Sequence, residues 1–196
     1  MFEDIEDFVR KRMTNDASHD FEHVLRVVRM CEFIGTREGA NLSILIPAAF
    51  FHDIARPLEI EDPSIDHAKE SARIAREYLS NRGYPYIDEI VYAIEVHRFR
   101  NNVTPVTLEA KILQDADRLD ALGAIGIYRV LVHSCIYERN IQETIRHFEE
   151  KILRLKDYMH TETAKKIATE RVKIVEDFVK RLKEEAFGFP HYYDLI

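Results

Sequence analysis

The chain has 196 residues, enough for one domain or at most two small ones, and 46% hydrophobic against 32% charged residues describes a globular protein with a substantial core. A net charge of −7 argues against a general binder of nucleic-acid polymers, which needs a basic surface to displace counterions, but not against a small phosphorylated substrate held by a few local cations. Two cysteines, Cys31 and Cys135, fit reduced thiols better than a disulfide framework, and neither a signal-like N-terminus nor a membrane-length apolar run is present, so a cytoplasmic setting without a membrane partner is expected.

Apolar residues recur near a period of 3.6 throughout, and alternating runs are hard to find, so an all-α fold is expected, a single-domain helical bundle over residues 1–196. Residues 2–13 place Phe2, Ile5, Phe8 and Val9 on one stripe, with acidic residues leading and basic ones following. Thr14-Asn15-Asp16 breaks that helix and offers N-caps for the next, over 17–38, whose core stripe is Phe21, Val24, Leu25, Val28 and Cys31. His19, His23, Arg26 and Met30 form a second stripe at its edge, where side chains can line a cleft. A third helix over 42–55 is expected to stop before Pro57, followed by an acidic loop to Pro63. Asp66 is the N-cap candidate for a helix to residue 81, and Pro85 opens another running to His97. A polar, basic loop holds Arg98, Arg100 and two asparagines before Pro105.

The next helix begins at 104–107 and is read as continuing through Gly123 and Gly126 to Arg139, with the glycines permitting close packing. On a helical wheel Asp117 falls among Ala110, Leu113 and Ala124, while Asp115 and Arg118 project elsewhere, Asp115 being read as solvated or capping. Helices over 141–158 and 162–186 follow as scaffold, ended by Gly188 and Pro190, and the tail with Phe187, Phe189, Tyr192 and Tyr193 is expected to fold back on the body.

The segment Ala48-Ala49-Phe50-Phe51-His52-Asp53-Ile54-Ala55 is almost wholly apolar yet carries an imidazole beside a carboxylate. Burying a carboxylate without a partner costs several kcal/mol or more, so such a pair needs a compensating charge. With His23 and Asp117 it makes two imidazoles and two carboxylates, a set that suits one divalent ion such as Mn²⁺, Fe²⁺, Co²⁺, Ni²⁺ or Zn²⁺ with positions left for water or substrate.

His23 in HDFEHVLRVV, the dyad in AAFFHDIAR and the aspartate in KILQDADRLDALGAIG resemble the H…HD…D signature of the HD-domain superfamily of metal-dependent phosphohydrolases, over about residues 15–130. The resemblance implies an HD-type all-α fold, one divalent metal held by His23, His52, Asp53 and Asp117, and hydrolysis of a phosphoester or phosphoanhydride. His67 in DHAKESA and His97 in IEVHRF are similar to further histidines of the small nucleotide-hydrolysing members. In some branches these hold a second metal, and in others they contact phosphate.

The implied function is nucleoside triphosphate pyrophosphohydrolase-like hydrolysis of a nucleotide by metal-activated water. Its alternatives are a nucleoside monophosphatase, a dinuclear phosphodiesterase, or a metal-dependent nucleotide sensor without turnover. Arg26, Lys69, Arg98 and Arg118 are the candidate phosphate-binding cations, Arg26 first because it follows His23 by three residues. His67 or His97 could protonate the leaving oxygen, and Asp120 or Asp20 could orient the water. The expected partner is a small phosphorylated substrate, with a homo-oligomer compatible with the C-terminal helices.

Overall fold

The structure, a computed structural model, describes residues 2–13, 20–98 and 104–188. The expected break at Thr14-Asn15-Asp16, His19, Arg100 and the aromatic tail beyond Gly188 lie outside these residues. Among the described residues every regular element is helical, so the fold is all-α as expected. Two compact units are present, residues 1–117 and 118–196. No single helix among the described residues is long and apolar enough to cross a membrane.

The first unit is built round α3 (Leu42–Phe51), against which α1 (Glu3–Arg10), α2 (Phe21–Glu38), α5 (His67–Ser80) and α6 (Ile87–Glu95) all pack. A helix apolar on every face belongs in the middle of a bundle, and every residue from Ile44 to Phe51 is buried. Phe51 closes its lower end against an aromatic cluster, with ring centroids 6.0 Å from Phe8 and 5.5 Å from Tyr78. The Tyr78 hydroxyl donates to the Asp4 carbonyl at 2.8 Å and so pins α1 to α5.

Several boundaries differ from the sequence reading, each for a local reason. The third helix ends at Phe51, not residue 55, and His52 to Ala55 form a turn. Pro57 does not stop a helix but starts one: α4 (Arg56–Glu61) has it in its first turn, where a missing N–H costs nothing. The buried stripe of α2 is Phe21, His23, Val24, Val27, Cys31 and Ile34, rotated from the expected one so that Leu25 and Val28 are half-exposed. His23 therefore lies inside the buried face and not at its margin.

The helix α7 (Leu108–Asp120) carries the residue at which the first unit ends. The run does not continue to Arg139. It turns at Ala121-Leu122, and α8 (Gly123–Ile136) starts afresh at Gly123 with φ +72°, a left-handed conformation that glycine adopts without the cost of a Cβ. In the second unit α9 (Ile141–Glu150) opens with a capping box between Asn140 and Glu143. It gives way at Lys151 to 3₁₀ turns over Ile152–Tyr158, where one continuous helix was expected. The last helix, α10 (Glu162–Phe187), is capped by Thr161 and buries Ala164, Ala168, Val172, Val175 and Val179 along one stripe.

Candidate metal centre

Three local structures deliver the core of the site. His23 stands one turn inside α2, whose N-cap Asp20 accepts from the His23 amide at 2.9 Å, which places Asp20 as a cap. His52 and Asp53 occupy the turn at the end of α3, where the chain leaves the helix and adjacent side chains can converge. That turn is tied down by a hydrogen bond from the Ala55 amide to the buried Ser71 hydroxyl, at 3.1 Å. Asp117 comes from α7.

His23 Nε2 lies 3.3 Å from His52 Nε2, 3.7 Å from Asp53 Oδ2 and 3.5 Å from Asp117 Oδ1. The other Asp53 oxygen faces two more imidazoles, with Oδ1 3.3 Å from His67 Nε2 and 3.5 Å from His97 Nε2. Asp53 thus joins two triads of donors, His23–His52–Asp53 and Asp53–His67–His97, and the ligand atoms in each triad lie within 4.8 Å of one another. All four histidines and Asp53 are buried, whereas the Asp117 side chain keeps 33% of its exposure.

The protonation of His52 suits a metal ligand. His52 Nδ1 lies 2.7 Å from the Ala49 carbonyl, an acceptor, so Nδ1 carries the proton and Nε2 keeps its lone pair. Burial pushes its pKa down to about 4 against the opposing pull of Asp53, leaving a neutral imidazole. His97 Nδ1 is likewise fixed by the Ile94 carbonyl at 2.6 Å. Burial lowers the His97 pKa, but the hydrogen bond and charge of Asp53 outweigh it and raise the value. Burial also works against the Asp53 carboxylate, and the neighbouring His52 with hydrogen bonds from His67 and His97 pulls it well below the usual range. Two buried Nε2 atoms 3.3 Å apart beside the Asp53 carboxylate form a donor set that a divalent cation fits, since it satisfies lone pairs and negative charge together.

The faces of α7 differ from those expected on the helical wheel. Asp115, expected to be solvated or capping, is fully buried, and Asp117 is the partly exposed one. The helix buries its own residues on nearly every face, Ala110, Ile112, Leu113, Gln114, Ala116 and Leu119 among them, so an apolar face does not single out Asp117. Ala124 is not on this helix at all and is exposed.

His67 is the first residue of α5, with Asp66 as its N-cap as expected, and His97 follows α6. Arg26 is half-buried on α2, and Lys69 is exposed on α5. Arg98 pairs with Glu59 at 2.9 Å and approaches Asp66 at 3.5 Å. Arg118 and Asp120 belong to the second unit, where Arg118 donates to the Tyr158 carbonyl at 2.6 Å and Asp120 accepts from Arg129 at 2.8 Å. Two residues escaped the sequence reading: Glu59, which binds His67, and Gln114, whose amide donates to the Val96 carbonyl at 2.6 Å beside His97. The signal for Glu59 was Pro57 followed by acidic residues, a helix start that reads equally well as a loop.

An all-helical bundle with histidines and aspartates gathered in this order defines a class. The HD domain family profile matches residues 20–122, and this chain belongs to that family. It is 33% identical over 195 residues to the Bacillus subtilis protein YpgQ, covering 95% of this chain and 94% of that one. Among solved structures it is similar to a predicted HD superfamily hydrolase from an uncultured Thermotogales bacterium, at 34% identity and a TM-score of 0.72, over 93% of this chain and 91% of that one. It is also similar to Bacillus subtilis YpgQ in complex with ADP, at 28% identity and a TM-score of 0.75, over 97% and 99% of the two chains.

Proposed function

We propose that the protein is a divalent-metal-dependent phosphohydrolase acting on a nucleotide phosphoanhydride or phosphoester, in the manner of nucleoside triphosphate pyrophosphohydrolases. The observation that carries this reading is the meeting of His23, His52 and Asp53 through Nε2 and carboxylate oxygens at 3.3–3.8 Å, with Asp117 reaching His23 at 3.5 Å. The ADP bound to YpgQ supports a nucleotide as the substrate class. When bound, a divalent ion supplies Lewis acidity and an activated water at neutral pH.

The chain's own residues do the rest. His23, His52, Asp53 and Asp117 would hold the ion, and the Ala49 carbonyl behind His52 fixes Nε2 as the nitrogen that keeps its lone pair. Arg26 and Lys69 take up phosphate charge. Water adds to phosphorus as the bond to the leaving oxygen breaks; that oxygen collects a proton from His67 or His97, and the proton the water gives up passes through solvent to restore that imidazole.

A second reading has its own observation. The Asp53–His67–His97 triad presents a carboxylate oxygen and two Nε2 atoms to one point, which suits a second cation, and the two histidines are then ligands in place of acids. The test is a nucleotide panel with Mn²⁺, Co²⁺ or Ni²⁺, reading pyrophosphate, orthophosphate and metal content separately. Released pyrophosphate supports the proposal, and orthophosphate alone favours a monophosphatase. Tight metal-dependent binding without product makes the protein a sensor, and no turnover or binding with any metal overturns the reading.

A further inference from the structure

The short helix α4 brings to the site a carboxylate that no ligand set includes. Glu59 Oε2 lies 2.8 Å from His67 Nδ1 and 2.6 Å from Arg56 Nη1, while Oε1 lies 2.9 Å from Arg98 Nη1. The same Arg98 nitrogen is 3.5 Å from Asp66 Oδ1, the oxygen that caps α5 by accepting from the Ala68 amide at 3.0 Å. His67 is the first residue of that helix. One carboxylate therefore gathers a guanidinium from its own helix, a guanidinium from beyond α6 and the back of a site imidazole, with little exposure of either Glu59 (16%) or His67 (4%).

The chemistry of these groups decides the His67 tautomer. Nδ1 faces both Glu59, which only accepts, and Arg56 Nη1 at 3.0 Å, which only donates. The Arg56 nitrogen makes its shorter contact with Glu59, and an N–H donated to a carboxylate is the stronger, charge-assisted bond. Nδ1–H directed at Glu59 leaves the Nε2 lone pair pointing to the side where Asp53 Oδ1 lies at 3.3 Å.

We propose that Glu59 is the positioning residue for His67: it holds the ring in the Nδ1–H form and presents Nε2 to the Asp53–His97 side of the site, while Arg56 and Arg98 neutralise and brace the carboxylate. This rests on the reading of the Asp53–His67–His97 triad as a cation site. It gives Arg98 a structural task behind the site. It also makes α4 part of the active centre, although the dyad and His67 are joined only by a surface-facing segment in the sequence.

Two measurements test it. The first is the pattern of His67 ring nitrogens in metal-free, ¹⁵N-labelled protein. Protonated Nδ1 is expected in the wild type and in Glu59→Gln, whose amide oxygen still accepts, with that preference lost in Glu59→Ala. A wild-type ring protonated at Nε2 alone, or a Glu59→Ala ring unchanged from wild type, overturns the proposal. The second is Mn²⁺ titration by calorimetry of wild type, Glu59→Ala, Glu59→Gln, His67→Ala and the double alanine variant. Glu59→Ala should weaken the second equivalent about 10–100-fold, the usual effect of removing a partner behind a ligating histidine, with Glu59→Gln recovering most of it. In the His67→Ala background Glu59→Ala should add nothing, and a full effect there means that Glu59 acts through the fold and overturns the proposal. A wild type that binds no second Mn²⁺ sinks the cation-site reading instead, and the tautomer measurement on wild type and the two Glu59 variants, which needs no metal, still decides the role of Glu59.

Discussion

His23 and Asp117 meet at 3.5 Å, a contact between an imidazole at the start of α2 and a carboxylate near the end of α7. The two neighbouring aspartates of α7 therefore have separable tasks. Asp117→Ala should reduce Mn²⁺ affinity by at least about 10-fold, since even partners behind a ligand contribute that much. Asp115→Ala should keep metal binding in the folded protein but lower the melting temperature, because Asp115 is fully buried. Calorimetry and thermal unfolding on the same two variants separate the effects. Equal metal loss in both would undo the assignment.

Metal should also stabilise the fold. The unfolded chain has no gathered donor set, so binding shifts folding by mass action, about 2.7 kcal/mol at a free concentration one hundred times Kd. Denaturant midpoints measured with Mn²⁺ and after chelation should differ accordingly. His52→Ala with Asp53→Ala together should abolish the difference.

A second titration lies away from the site. Burial pushes His147 down to about 4, with Lys151, Arg139 and His133 adding repulsion. The unfolded imidazole titrates near 6.5, so below that pH the unfolded chain takes the proton first. This group's contribution is present above about pH 6.5, is lost as pH falls toward 4 and then levels off. Since the side chain is only half shielded, solvent screening cuts the loss to about 1 kcal/mol. His147→Gln should flatten the decline between pH 7 and 4.5 by that amount in urea unfolding, the other histidines cancelling in the comparison. A decline identical to wild type would contradict the assignment.

Gly126 is a packing constraint that one methyl group tests. A Cβ there would lie 2.2 Å from the Ala121 carbonyl oxygen, a backbone atom in the turn that separates α7 from α8. Gly126→Ala should cost about 1–3 kcal/mol, seen as a lower denaturation midpoint with an unchanged slope.

The sequence carried the gathering of His23, His52, Asp53 and Asp117 further than the helix boundaries. His52 and Asp53 were legible because polar groups in an apolar run demand partners, and His23 and Asp117 were available to provide them. The expected glycine contact was present at Gly126, but as a turn closing on itself, and Gly123 marks a helix start that its apolar neighbours conceal. Periodicity failed on α7 because a helix enclosed on nearly every side has no informative stripe. It slipped on α2 because His23, scored as polar, occupies a core position. Glu59 was illegible for a different reason. One acid among Glu59, Glu61 and Asp62 is distinguished only by what it touches, and its partners His67 and Arg98 are remote in the chain.

The three histidines whose Nδ1 contacts are known differ in what secures them. His52 and His97 each lean on the carbonyl three residues earlier, Ala49 and Ile94, whereas His67 leans on the Glu59 side chain. A backbone carbonyl survives every substitution of its own residue, so two of the rings are insulated from point mutation at their supports. The third can be retuned by a single codon. Descendants of this chain that change the second triad thus have an open route through position 59, with the orientation of His52 and His97 left untouched.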